Sequence, residues 1–334
     1  MTTDRTDVPA PAGNELRRDP ITGRWVVIAA GRAARPGSFA RPAPARCDPK
    51  DCPFCAGNEH QTPPEVEADR APGLPADSPG WTVRVVPNKY AAFGPPGASA
   101  EPVDGRVPAA GAHEVIIHGP DHHTALTELD LGTLQKVMGT WRHRLARWRR
   151  EPLGSVTIIV NEGPEAGASL EHSHSQLFAT AFRPDLTEAE LARLTAADCA
   201  ACALVESERK AGDRVVADSD GLLTVCPWAS GMPFEGRIVP EDHLPAFEDG
   251  DEAADLTLAR AIRAHLGRIG TAVGDEPALN LVLHSAPPGV DDFHWHLHVL
   301  PRLTTLGGFE LGTGAHINVV DPDVAADRLR AAGA

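Results

Sequence analysis

The sequence predicts a duplicated α/β unit, and three observations carry that reading: two C-x-x-C pairs, two H-x-H segments, and one spacing that joins them in both halves. Cys52-Pro-Phe-Cys55 leads to an apolar run ending in Pro-Asn (Val83 to Asn88), then to Glu114 through His122. A helical stretch, a strand-like Val156 to Val160 and His172-Ser-His174-Ser-Gln176 complete the first series. In the second half Cys199-Ala-Ala-Cys202 leads to Leu222 through Pro227, then to Gly236 through His243. Another helical stretch, Leu279 to His284 and His294-Trp-His296-Leu-His298 follow. From His122 to His172 is 50 residues and from His243 to His294 is 51, a match in order and spacing that marks an internal repeat.

Each element has its own signal. Leu131, Leu134, Met138, Trp141, Leu145 and Trp148 recur at steps of three and four, as do Leu258, Ile262, Leu266 and Ile269. Both series read as amphipathic helices that cover a sheet. Pro- and Gly-rich stretches near 36–49, 63–80 and 94–112 read as loops inside the repeat. Residues 1–13 read as a disordered polar tail, 14–190 as the first unit and 191–334 as the second.

Composition narrows the classes. A net charge of -15 excludes bulk nucleic-acid binding but leaves a small anionic substrate open, because a pocket sets its own field. No run of 18 apolar residues argues for a membrane span, and no signal peptide opens the chain, so a cytoplasmic protein is expected. Six cysteines stand at 47, 52, 55, 199, 202 and 226 beside 15 histidines. In a chain of this length without a signal, zinc is the better reading than disulfides.

The repeat makes a specific metal expectation. Cys52, Cys55, His122 and His172 form one Cys2His2 set, and Cys199, Cys202, His243 and His294 the other. Four protein ligands make structural zinc, about two ions per chain. The other reading of His122 and His243 is that of loop histidines. His60, His118 and His123 read as surface residues.

H-x-H on a strand puts both imidazoles on one face, so one can bind metal while the next projects into a site. The stretch Asn161-x-Gly163-x3-Gly167-x-Ser169-x2-His172-x-His174-x-Gln176 adds glycines that let backbone N–H groups approach a phosphate. Ser169 and Gln176 can donate to its oxygens, and a neutral His174 can attack phosphorus once its other nitrogen is fixed. The alternative is that all these histidines are ligands.

That stretch resembles the active-site signature of the galactose-1-phosphate uridylyltransferases, within the histidine-triad superfamily. The resemblance runs from Arg17-Arg-Asp-Pro-Ile-Thr-Gly-Arg-Trp-Val-Val-Ile28 through Arg32-Ala-Ala-Arg35-Pro36 and Cys52-Pro-Phe-Cys55 to Gly308-Phe-Glu-Leu-Gly-Thr-Gly314. It implies an α+β fold of duplicated histidine-triad-like units, mainly antiparallel sheet with flanking helices. It also implies a ping-pong nucleotidyltransferase with His174 as covalent nucleophile. Arg32, Arg35, Asn88, Asn161, Gly167, Ser169 and Gln176 match positions that hold the nucleotide, and Glu310 matches a sugar contact. The partners implied are a nucleotide sugar and either a sugar phosphate or inorganic phosphate. Dimers are common in that family, and this sequence shows no interface of its own.

The chain departs from the pattern in three places. Ser173 stands where the family usually has proline, and His316 where its uridylyltransferases place a glutamine six residues after the sugar-contacting glutamate. Bacterial members build a second metal site to which Glu190, His284, His296 and His298 would correspond, whereas this chain carries Cys199 and Cys202. The second C-x-x-C and the His-Ser-His-Ser-Gln wording are more similar to the plant-type ADP-glucose phosphorylases. Hexose-1-phosphate uridylyl transfer is the first expectation and ADP-glucose phosphorolysis the alternative. A third reading, a histidine-triad hydrolase using His296, is weakened because Ser285-Ala-Pro-Pro-Gly289 lacks a Gly-x-Ser cradle.

Overall fold

The computed structural model describes residues 15–29, 48–94, 109–274 and 276–333. The expected tail at 1–13, Cys47 and the two arginines Arg32 and Arg35 lie outside the described residues. Strands β1 (Glu15–Arg18) and β2 (Trp25–Ile28) form an antiparallel hairpin. The first repeat then runs β3 (Glu67–Arg70), β4 (Trp81–Pro87), β5 (Gly111–His118), α1 (Leu131–Arg149), β6 (Ser155–Glu162) and β7 (His174–Thr180). Helices α2 (Asp185–Leu191) and α3 (Ala200–Ala211) connect to the second repeat. Its elements are β8 (Val215–Ser219), β9 (Leu222–Val225), β10 (Gly236–Pro240), α4 (Glu252–Val273), β11 (Leu279–His284) and β12 (His296–Pro301). Then come α5 (Gly308–Thr313), β13 (His316–Asn318), which pairs parallel to β2, and α6 (Pro322–Ala331).

Ten strands form one sheet in the order β3-β4-β5-β7-β6-β11-β12-β10-β9-β8, all paired antiparallel. Read inward from either end, the connectivity is the same, so the sequence repeat is a structural one. The two halves meet where β6 pairs with β11, with Val160 opposite Leu281 and Asn161 opposite Asn280. No helix among the described residues is long and apolar enough to cross a membrane.

Alternation along the strands separates two faces. Val83, Val85, Ile116, Leu177, Leu281 and Val299 pack against Leu134, Met138 and Trp141 of α1 and Leu258 and Ile262 of α4. Val86, Val115 and Ile117 point the other way, into a cluster with Cys52, Phe54 and Cys55. Both covering helices begin at an aspartate cap: Asp130 accepts from the Thr133 N–H, and Asp251 from those of Ala253 and Ala254. The face free of these helices is left for the H-x-H residues.

Several sequence expectations shift. Strands β7 and β12 open at His174 and His296, so His172 and His294 lie in the approach and not on the strand. The stretch 63–80 contains β3, and 94–112 runs into the start of β5 at Gly111. Strand pairing, at the sheet edge for β3 and between two neighbours for β5, overrides the composition of such segments.

Candidate functional site

The first Cys/His set converges. Cys55 Sγ lies 3.3 Å from His122 Nδ1 and 3.6 Å from His172 Nδ1, and Cys52 Sγ lies 3.6 Å from His172 Nδ1. All four donor atoms fall within 4.8 Å of one another, so the set can hold a metal ion. The His172 Nε2–H donates to Gly119 O at 3.1 Å, which leaves the Nδ1 lone pair facing the thiols.

His174 follows directly. Its Nδ1–H donates to His172 O at 2.8 Å, so the lone pair is on Nε2. Burial lowers the His174 imidazole below the usual histidine range, against the raising effect of the His172 carbonyl. The ring is therefore neutral, fixed in tautomer and nucleophilic at one atom.

Two histidines that the sequence reading missed frame this strand. Ala92 N–H donates to His113 Nδ1 at 3.2 Å, so the proton sits on Nε2, which donates to Gln176 Oε1 at 2.8 Å. The Gln176 amide nitrogen is thereby left to donate elsewhere. Asn88 joins the group, its Nδ2 3.0 Å from His113 Nε2, and the His113 ring stacks on Phe178 at 4.1 Å between centroids. His118, expected at the surface, is fully buried on the helix side. Its Nδ1 lies 3.0 Å from Ser173 Oγ and its Nε2 2.9 Å from Ser175 Oγ, which also accepts from Trp141 Nε1–H at 2.8 Å. Period-two spacing from the core residue Ile116 was the available signal for His118.

The loop between β6 and β7 needs its glycines. Gly163 has φ 82°, and a Cβ there would come within 2.6 Å of the Ala278 Cβ; Gly167 has φ 86° in the left-handed region. Asn280 of the second half donates through Nδ2 to Asn161 Oδ1 at 2.8 Å and to Ala166 O at 2.9 Å. Ser169 is exposed in the segment leading to His172. Glu310 is not joined to this group: its carboxylate accepts from Gly307 N–H and lies beside His316 in the second half.

The second half repeats the metal geometry. Cys199 Sγ and Cys202 Sγ each lie 3.4 Å from His294 Nδ1, and Cys202 Sγ lies 3.5 Å from His243 Nδ1. His294 Nε2–H donates to Pro240 O at 3.0 Å, and His243 Nε2 lies 3.0 Å from Asp292 Oδ1. The cysteines do not replace the Glu/His cluster, as the sequence comparison implied. Glu190, His284 and His296 form a third set that can hold a metal, with His284 Nδ1 2.9 Å from Glu190 Oε2. His298 stands apart, since its Nε2 accepts from the buried Arg237 Nε–H at 2.7 Å. His296 keeps the backbone tie of His174, Nδ1 to His294 O at 3.1 Å, but its Nε2 faces Glu190 Oε1 at 4.0 Å and the side chain is fully buried.

The comparisons agree with this geometry. A family model described as galactose-1-phosphate uridyl transferase, N-terminal domain, matches residues 104–184. ADP-glucose phosphorylase of Arabidopsis thaliana is 31% identical over 331 residues, covering 95% of this chain and 92% of that protein. Galactose-1-phosphate uridylyltransferase of Thermotoga maritima is 26% identical over 336 residues, covering 95% and 98%. The crystal structure of the Arabidopsis thaliana ADP-glucose phosphorylase with bound ADP-glucose superposes with a TM-score of 0.79 at 29% identity, over 95% of this chain and 99% of that one. Likeness of this extent, over nearly the whole chain, shows that the chain belongs to the galactose-1-phosphate uridylyltransferase family of nucleotidyltransferases.

Proposed function

We propose that this chain moves a nucleoside monophosphate from a nucleotide sugar to a second phosphate compound through a covalent intermediate on His174. The observation that carries the reading is the His174 Nδ1–H to His172 O bond, which aims a neutral Nε2 lone pair. In the first step Nε2 forms a bond to the α-phosphorus, the bond to the sugar 1-phosphate oxygen breaks, and the sugar 1-phosphate leaves. In the second, an acceptor phosphate oxygen forms the new P–O bond and the N–P bond breaks. The Gln176 amide, oriented by His113, and Ser169 donate to the charge that builds on the phosphoryl oxygens. Asn88, Asn161 and Gly167 hold the nucleotide, with Arg32 and Arg35 as further phosphate partners.

The two Cys2His2 sets fit zinc. Tetrahedral zinc with ordinary bond lengths has an S···N edge of roughly 3.6 Å, and the observed separations run from 3.3 to 3.6 Å. Zinc there supplies a closed structural clamp. His172 contributes its ring to the clamp and its carbonyl to His174, so the fold around the nucleophile is fixed by one residue.

Two substrate pairs compete: UDP-glucose with galactose 1-phosphate, and ADP-glucose with phosphate. Three features favour the second: the paired Cys199/Cys202 set, Ser173 between the histidines, and the 31% identity to an ADP-glucose phosphorylase. Incubation with either labelled nucleotide sugar should leave an acid-labile, base-stable nucleotide on the protein. The label should vanish in His174→Gly and persist in His296→Asn. Label on His296 would overturn the reading. The ratio of kcat/KM for the two pairs then assigns the base, a tenfold preference corresponding to about 1.4 kcal/mol of transition-state binding.

A further inference from the structure

The repeat lets the helix side of one half be read against the other, on the face opposite His174. In the first half three carboxylates meet two cations there. Arg144 donates to Glu114 at 2.6 and 2.9 Å and to Glu67 at 3.1 Å, and Lys136 pairs with Asp69 at 2.8 Å. Strand register fixes the counterparts. Glu114 opposes Leu177 as Gly236 opposes Val299, Glu67 opposes Val85 as Ala217 opposes Thr224, and Asp69 opposes Val83 as Ser219 opposes Leu222. Counted from the caps Asp130 and Asp251, His265 takes the place of Arg144 and Thr257 that of Lys136. Every carboxylate of the first-half cluster is a glycine, alanine or serine in the second.

What remains is a cavity of about 130 Å³ between α4 and the β8–β9 hairpin, lined by Ala217, Thr224, Thr257, Arg260, His265 and Arg268 among others. That is far more than one water needs. His265 is 2% exposed, and neither ring nitrogen has a hydrogen-bond partner. Its Nε2 edge packs on Gly236, where a Cβ would come within 2.0 Å of it. Neither Arg260 nor Arg268 makes an ion pair among the described residues, and Arg268 donates only to Leu329 O. Asp220, at the β8–β9 turn, is the one acidic residue in the lining.

We propose that this cavity binds a small oxyanion, whose carboxylate or phosphate group takes the place that Glu67 and Asp69 hold in the first half. Arg260 and Arg268 supply the charge, and the neutral His265 ring and the two threonine hydroxyls supply hydrogen bonds. The test is calorimetric titration of the full chain with inorganic phosphate and with succinate. Beyond any phosphate bound as acceptor beside His174, one saturable site is expected for at least one of them, and which one binds there identifies the anion as phosphate or carboxylate. Ala217→Glu puts the first half's carboxylate back and should weaken that site at least tenfold. Arg268→Gln, at the partly exposed rim, should do the same while keeping the urea midpoint of the parent, whereas His174→Gly should leave the site unchanged. Undiminished binding in Arg268→Gln, loss of the site in His174→Gly, or no saturable site for either anion would each overturn the proposal.

Discussion

At the scale of single residues, the clearest asymmetry between the repeats is Ser173. Its hydroxyl meets His118, and its N–H donates to His123 O at 2.7 Å, a bond that the family's usual proline cannot make. Removing one partner of a buried pair costs about 1–3 kcal/mol, whereas replacing both by apolar groups is often milder. The double variant His118→Leu with Ser173→Ala should therefore be destabilised by less than the sum of the two single variants, read from urea unfolding of the three. The second half has Trp295 and Leu297 at the matching positions, so no such contact exists there. Single residues were also where sequence reading failed. The grouping of the cysteines with His122, His172, His243 and His294 was legible because their partners lie at repeated spacings. His118 and His113 were not, because their partners are side chains 25 to 63 residues away on neighbouring strands, set by register and not by any local pattern.

At the scale of elements, the β6–β11 pairing does more than close the sheet. Both hydrogens of the Asn280 amide are used, on Asn161 and on the turn at Ala166, so a strand of the second half sets the shape of the loop that precedes His172. Each neutral bond is worth about 1 kcal/mol. Asn280→Leu should raise KM for the nucleotide sugar about tenfold with a smaller change in kcat, measured by steady-state kinetics. A fall in kcat alone would place Asn280 outside nucleotide binding. Both long helices were legible from periodicity, because each has one face against a single core, and the inner strands from their apolar runs, whereas β3 lies in a stretch that read as a loop. Helix α3 carries its apolar residues Leu204 and Val205 into a smaller, separate cluster, and gave no comparable signal.

For the whole molecule, two expectations follow from charge and metal. Burial pushes the Glu235 carboxyl up to about 7, against the opposing pull of Arg237. A raised pKa means that its contribution to stability is complete below about 4.5 and lost as pH rises through 7. Glu235→Gln should be more stable than the parent at pH 8, by up to about 3 kcal/mol, with the gap shrinking towards pH 5 in denaturant titrations. Cys52→Ser should lose one of about two zinc ions by elemental analysis and leave the Cys199/Cys202 ion in place. Retention of both would sink the first-site assignment. The seam has a further consequence during synthesis. Strand β6 carries Val156, Ile158, Ile159 and Val160, and its second neighbour, β11, begins only at Leu279. For more than a hundred residues of translation the first repeat presents an apolar edge with nothing to pair against, the kind of edge that recruits other chains. A polypeptide ending at residue 190 should accordingly aggregate, and Ile159→Lys in that fragment should keep it in solution.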